Sequence, residues 1–260
     1  MKLSFIIPCY NEADNVIKLH DELLPVVVNI VINGWKGGTD ESRSAEMIFV
    51  DDGSRDDTLA HLKESFGNDH KSGLRFKYMQ HPVNLGLGAA IRTGFSGADG
   101  DIIVTIDSDG TYEFSDIPAL LACLTPGVDI VTASPYHPQG GVIGVPSYRL
   151  FLSRSSSFLY RILLNWHVYT YTCLFRAYRS RVIRNIQFNS NGFLAGTELL
   201  VKAMLNGYVV SEFPAVLHKR MYGVSKARIA ETIFSHLRFQ GWVLLHRIEV
   251  WIGLVPKPTI

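Results

Sequence analysis

Cysteine is scarce in this chain of 260 residues, which holds only Cys9, Cys123 and Cys173. Their odd number and wide spacing argue against a disulfide framework, and no Cys-x-x-Cys pair suggests zinc; such usage suits a reducing compartment. Long hydrophobic runs are missing too. No stretch reaches the ~20 apolar residues of a membrane-spanning helix, and Val26–Ile32 stops at Asn33-Gly34. An excess of one charge is absent. With 25 Lys+Arg against 24 Asp+Glu the net charge is +1, which gives no basis for bulk nucleic-acid binding. Met1–Pro8 is too short for a signal peptide and reads as a first strand. The expected location is cytoplasmic, with residence on the inner face of a membrane left open. What is present is a folding composition, 47% hydrophobic and 19% charged. The length suits one domain with a C-terminal extension.

The first half alternates strand and helix. Strands are predicted at Leu3–Ile7, Met47–Val50, Leu74–Met79, Ile102–Ile106 and Val128–Ala133. Between them, helical spacing runs over Glu12–Ile32, 55–66 with Ser54 as its N-cap, Leu85–Phe95, and 116–124 with Ser115 as its cap. Repeated strand–helix–strand units predict an α/β fold with a mostly parallel central sheet and helices on both faces. The second half is less regular. A Pro/Gly loop at 134–147 precedes a helix at Tyr148–Leu164, a strand at Thr172–Tyr178 and a helix at Phe193–Leu205 ended by Gly207. Short strands at Val209–Phe213 and Val216–His218 and a long helix at Ala227–Leu254 complete the chain.

Ligands of such sheets bind beyond the carboxyl ends of the strands. Three polar clusters fall there: Pro8–Glu12, Asp51–Ser54 and Asp107–Tyr112. The last is the most informative. In IVTIDSDGTY an apolar strand leads to Asp107 and Asp109, which alternation would place on one side. Paired carboxylates repel unless a cation neutralises them, and Mg2+ takes oxygen ligands while keeping phosphates as co-ligands. The pattern therefore points to a divalent ion held against a diphosphate. A solvated Asp-Gly turn is the plainer alternative.

Beyond these three clusters, the chain carries NLGLGAAIRTG at Asn84–Gly94, FRAYRS at Phe175–Ser180, GFLAGTELL at Gly192–Leu200 and KRMYGVSK at Lys219–Lys226. With IIPCYNE (Ile6–Glu12), VDDGSRDDT (Val50–Thr58) and DSDG (Asp107–Gly110), their order resembles the family 2 inverting glycosyltransferases, which have the GT-A fold. Within that family the chain is most similar to the dolichyl-phosphate mannose synthase branch, which moves a sugar onto a polyprenyl phosphate. It departs from that branch in having Ala133-Ser134-Pro135 where a G-S-R triplet is usual, Thr170 and Leu174 where Asp and Gly are usual, and Thr111 where a Gln often adds a metal contact. The transmembrane hairpins of some relatives are lacking. These departures leave the sugar and the acceptor open.

The resemblance implies a GT-A domain over 1–226, a UDP- or GDP-sugar donor, and Mg2+ or Mn2+ as cofactor held by Asp109 and Asp107. Pro8, Tyr10 and Glu12 would line the nucleotide pocket, with Tyr10 against a base and Glu12 on ribose or base; a Glu at a helix N-terminus is also favoured by the dipole. Asp51 and Asp52 would accept N–H groups of uracil or guanine, or cap the next helix. Asn84 and Gly88 would sit by the nucleotide, the glycines permitting tight packing, with Arg92 reaching a phosphate or lying exposed. Arg220, Ser225 and Lys226 belong to a loop built to close; cationic groups there would stabilise the departing diphosphate. Glu198 would be the general base if the acceptor were a hydroxyl, and would orient Arg220 or serve as a plain helical Glu if it were a phosphate. His81 and His137 read as loop residues.

Residues 227–260 mix Arg and His with Trp242, Trp251, Phe234 and Phe239. Such a helical segment could lie on lipid, pack on the core, or join subunits. Arg149, Arg154 and Arg161 on the preceding helix would add lipid-phosphate contacts. The expected activity is inverting sugar transfer to a polyprenyl phosphate at the cytoplasmic membrane face. A family 2 enzyme acting on a hydroxyl acceptor and a non-catalytic nucleotide-sugar binder are the alternatives. A nicotinamide-dependent oxidoreductase is excluded because the first strand leads to PCYNE, not to a glycine-rich turn.

Overall fold

The computed structural model describes residues 1–38, 43–67, 73–220 and 229–254. Its frame is a seven-stranded sheet in the order β3-β2-β1-β4-β7-β5-β8. The strands are β1 (Lys2–Cys9), β2 (Ser44–Asp51), β3 (Leu74–Gln80), β4 (Ile102–Thr105), β5 (Ile130–Ser134), β7 (Arg176–Arg179) and β8 (Val210–Pro214). A small second sheet pairs β6 (Gly141–Ile143) with β9 (Val216–His218) in parallel. All strands of the large sheet run the same way except β7, which is antiparallel to both β4 and β5. The mostly parallel α/β fold expected from the sequence is thus observed.

Side chains alternate along each strand and feed two cores. Phe5 and Ile7 of β1 pack on one face with α1 (Val16–Lys18), α2 (Leu24–Asn33), α3 (Thr58–Gly67) and α5 (Ile117–Ala122). Ile6 faces the other way toward α4 (Leu87–Gly97). On that second face lie α6 (Ser147–Leu163), α7 (Ser180–Asn185), α8 (Ala195–Leu205) and α9 (Ile229–Trp251).

The predicted Glu12–Ile32 helix is broken into pieces for a local reason. Pro25 has no N–H to offer the carbonyl four residues back, and the preceding turn, Leu19–Leu23, widens into a π turn. The two proposed caps are corrected. α3 starts at Thr58, whose amide bonds the Asp56 carboxylate, while the Ser54 hydroxyl accepts the Asn11 amide at 2.9 Å and ties β2 to the end of β1. Ser115 caps nothing: α5 starts at Ile117 with no side-chain cap, and the Ser115 hydroxyl turns to Glu113.

α9 lies along α6. Phe239 and Val243 are buried in the second core, His236 meets the Tyr160 hydroxyl at 3.2 Å, and Gln240 donates to the Ser156 carbonyl. Its other side exposes Phe234, Leu237, Leu245 and Ile248. No helix among the described residues is long and apolar enough to cross a membrane.

Candidate active site

β1, β2 and β4 are parallel neighbours, so their carboxyl ends open at one edge, and the three polar clusters meet there. The geometry of the third differs from simple strand alternation. β4 ends at Thr105, and Asp107–Asp109 lie in the turn beyond it. Asp109 shapes that turn by accepting the Thr111 amide at 3.0 Å. Lys18 of α1 donates to the Gly110 carbonyl at 3.3 Å, a cation beside the turn that helical spacing alone did not mark out.

The two aspartates are not equivalent. Asp109 is buried and paired with Arg220, whose Nε donates at 2.7 Å, and Arg220 Nη1 also lies 3.4 Å from Glu12. Arg220 is set there by β9: the His218 amide bonds the Thr111 carbonyl at 2.8 Å, and Arg220 follows two residues later. Burial opposes its charge, but Asp109, Glu12 and Asp107 outweigh this and hold its pKa above the usual value. Asp107 accepts no hydrogen bond among the described residues and faces a cavity of about 200 Å³. Burial, then the charge on Asp109, pushes its carboxyl up to about 7, against the pull of Arg220. A carboxylate so placed gains from a cation.

Among the described residues no three His, Cys, Asp or Glu gather into a closed metal site. Mg2+ needs only one or two carboxylates, with substrate phosphates and water completing its shell. Asp107 fits the role openly; Asp109 fits by sharing its carboxylate with Arg220.

Asp51 and Asp52 part ways. Asp51 Oδ1 accepts the Ser54 amide at 3.1 Å, while Oδ2 is buried with no partner among the described residues. Asp52 is fully committed. It accepts the amides of Leu85 and Gly86, both at 2.9 Å, and meets His81 Nδ1 at 2.6 Å. Its carboxylate holds the 84–86 turn, a role that the reading of Asp52 as a base acceptor or helix cap did not include. His81 does lie in a loop, between β3 and α4, where it is buried between Asp52 and the Thr93 hydroxyl. Gly53, at φ +69°, lies against the backbone of Val83 and Asn84, leaving no room for a Cβ. Asn84 itself is exposed at the tip.

Gly88 packs on the 190–191 turn, its amide donating to the Asn191 carbonyl at 2.6 Å, and a Cβ there would overlap the Ser190 carbonyl and Ala195. Arg92 lies on the same turn, bonding the Ser190 carbonyl at 2.9 Å and the Asn191 side chain and lying 5.3 Å over Phe188. Glu198 completes this clamp. It accepts the amides of Asn189 and Ser190 and pairs with Lys202 at 2.6 Å. Burial would raise its pKa, but Lys202 and Ser190 outweigh it and hold it low. Among the described residues Glu198 touches neither Arg220 nor the strand-end aspartates; its partners are Asn189, Ser190 and Lys202.

Pro8 is buried within β1 just before its last residue, Tyr10 is half-buried beyond it, and Glu12 accepts the Asn15 side-chain amide at 2.5 Å besides facing Arg220. Ser225 and Lys226 lie outside the described residues. The feature that the sequence reading missed altogether is Arg176. Fully buried in β7, it donates to the Thr132 hydroxyl at 3.0 Å, to the Tyr171 carbonyl at 2.7 Å and to the Gly196 carbonyl beneath the cavity.

Residues 4–187 match the Glycosyl transferase family 2 model. A polyprenol monophosphomannose synthase of Mycolicibacterium smegmatis is 30% identical over 96% of this chain and 90% of that protein. A dolichol-phosphate mannosyltransferase of Pyrococcus furiosus is 29% identical over 99% of this chain, which spans 66% of that longer protein. Among solved structures, glucosyl-3-phosphoglycerate synthase of Mycobacterium tuberculosis with Mn2+, UDP and glucosyl-3-phosphoglycerate superposes with a TM-score of 0.63 at 20% identity, covering 95% of this chain and 79% of that one. The same enzyme with Mg2+ and UDP gives 0.65 at 18% identity over 92% and 79%. These likenesses show the GT-A fold. Strand-end chemistry, sheet order and family match agree, and the chain belongs to glycosyl transferase family 2.

Proposed function

We propose that this chain transfers a sugar with inversion from a UDP- or GDP-sugar to a polyprenyl phosphate. The observation that carries the reading is Asp107, a carboxylate open to the cavity beside the Asp109–Arg220–Glu12 cluster. Asp107 and Asp109 would hold Mg2+ or Mn2+, which when bound supplies positive charge to the donor's diphosphate. Asp107 must lose its proton to do so, and its raised pKa makes binding weaken as pH falls. Arg220 keeps a guanidinium at the same mouth, placed to stabilise charge on the departing nucleoside diphosphate. Asp51 Oδ2 is a ready acceptor for a base N–H, with Tyr10 beside the pocket.

The lining of the cavity supports a phosphate acceptor. Among the described residues, Asp107 is the only carboxylate lining it. Given over to a cation, it leaves no general base, and Glu198 is spent elsewhere. A phosphate acceptor needs none, because its oxygen is already anionic. The names of the Mycolicibacterium and Pyrococcus relatives support a polyprenyl phosphate, and the Mn2+ and Mg2+ complexes of the Mycobacterium enzyme support the cofactor. Residues 1–226 would form the transferase domain and 227–260 a helical extension. The exposed apolar sides of α6 and α9 suit peripheral contact with the inner face of a membrane.

The test is transfer itself. With Mn2+, GDP-mannose or UDP-glucose and farnesyl phosphate, a glycosyl-phosphate lipid is expected from one donor and none from farnesol. A protein that binds donor and metal but transfers to neither acceptor would overturn the reading.

A further inference from the structure

Arg220 does more at the sheet's mouth than carry a positive charge there. It grips Asp109 with two nitrogens, Nε and Nη2, both 2.7 Å from Oδ2. Its third, Nη1, faces Glu12 Oε1 at 3.4 Å. The other oxygen of Asp109 already accepts the Thr111 amide at 3.0 Å. A carboxylate offers about four lone-pair sites, and both of those on Oδ2 go to the guanidinium. Asp109 and Glu12 are buried, with side chains 8% and 7% exposed, whereas that of Arg220 is 24% exposed.

The grip falls on a carboxylate that a divalent ion would also use. An ion brought to Asp109 finds that charge already met and a second cation beside it, and like charges repel more strongly in a partly buried site than in water. A nucleoside diphosphate alters the balance. Its oxygens carry enough negative charge for both cations, and guanidinium binds phosphate bidentately just as it binds carboxylate. The backbone that leads to Arg220 is pinned on two sides. The His218 amide bonds the Thr111 carbonyl at 2.8 Å and the Lys219 amide bonds the Ile143 carbonyl at 2.9 Å. Moving the guanidinium from carboxylate to phosphate therefore asks only for rotation of one long, partly exposed side chain.

We propose that Arg220 is a built-in rival of the divalent ion: it holds Asp109 until metal and nucleoside diphosphate arrive together, then passes from the carboxylate to a phosphate oxygen. The assignment rests on the transferase reading above and adds to it a rule of binding. The ion alone binds weakly because it must displace a guanidinium that has nowhere to go. With the diphosphate present the guanidinium has a new partner, so metal and nucleotide each raise the other's affinity by the same factor.

The test titrates Mn2+ into the full chain, following unbound Mn2+ by its electron paramagnetic resonance signal, for wild type and Arg220→Gln, without nucleotide and with UDP or GDP. Without nucleotide, Arg220→Gln is expected to bind Mn2+ at least about fivefold more tightly than wild type, the low end of ordinary coupling. A site residue that merely helped to seat the metal would show the opposite sign. With nucleotide the advantage should shrink or reverse, because only wild type has a guanidinium to give to the phosphates. Thermal melts supply a second readout independent of turnover. Mn2+ alone should raise the Tm of Arg220→Gln, in which Asp107, Asp109 and Glu12 have lost this cation, by more than it raises that of wild type. A variant that folds only when Mn2+ is added would support the same rivalry. Mn2+ binding by Arg220→Gln no tighter than that of wild type in the absence of nucleotide would overturn the proposal. Failure of the wild type to bind UDP or GDP with Mn2+ would instead count against the transferase reading, while the metal-alone comparison would still decide the rivalry.

Discussion

Replacement of Asp109 by Asn is expected to cut sugar transfer by at least about 100-fold, with the folded structure retained. Two effects add. The neutral amide weakens the cation seat, leaving Asp107 as its one carboxylate. It also releases Arg220, whose Nε now donates to Asp109 Oδ2 at 2.7 Å. Losing one preorganised electrostatic contact of this kind costs on the order of 100- to 1,000-fold in kcat. The turn itself should survive, since the Asn side-chain oxygen can still accept the Thr111 amide. The check is kcat at saturating donor with a thermal melt beside it. Undiminished turnover in a well-folded variant would remove Asp109 from the account.

Asp52→Ala should behave in the opposite manner, failing first in stability. The wild-type carboxylate is 3% exposed and takes three donors, from His81, Leu85 and Gly86. Removing it strands a buried imidazole and two part-buried amides where Gly53 already touches the 83–84 backbone. Each unmet group costs about 1–3 kcal/mol, so a loss of about 3 kcal/mol or more is expected in urea unfolding. Asp52→Asn keeps an acceptor and should cost less. If Asp52 served the nucleotide base instead, Asp52→Ala would melt like wild type and merely bind donor poorly. The two outcomes are readily told apart.

The contrast between neighbouring aspartates shows where the sequence was readable and where it was not. Apolar runs ending in Asp or Pro announced β1, β2 and β4, and the parallel order followed from strand–helix alternation, so the meeting of three clusters at one edge was legible. The partners of each carboxylate were not. Asp52 is met by groups 29, 33 and 34 residues away, and Asp109 by one 111 residues away, separations that no local spacing encodes. Glu198 looked like a base because it starts a helix near a family motif; its partners, Asn189 and Ser190, sit in a turn with no periodic signature. Arg176 was hidden because arginine ordinarily marks surface, and nothing in FRAYRS signals that β7 runs antiparallel between β4 and β5 with every one of its residues 176–178 buried. The Pro25 π turn was similarly blurred: an apolar period of 3.6 continues across it, while the backbone widens by one residue.

The central claim is that the sheet's mouth holds a divalent ion against a nucleotide's diphosphate. Anomalous diffraction from crystals soaked in Mn2+ with UDP or GDP tests it most directly. The account predicts one manganese peak bonded to Asp107 or Asp109, at an oxygen distance of about 2.1 Å as for Mg2+, with the diphosphate completing its shell and Arg220 alongside. A nucleotide seated with its diphosphate and metal away from both aspartates would contradict it.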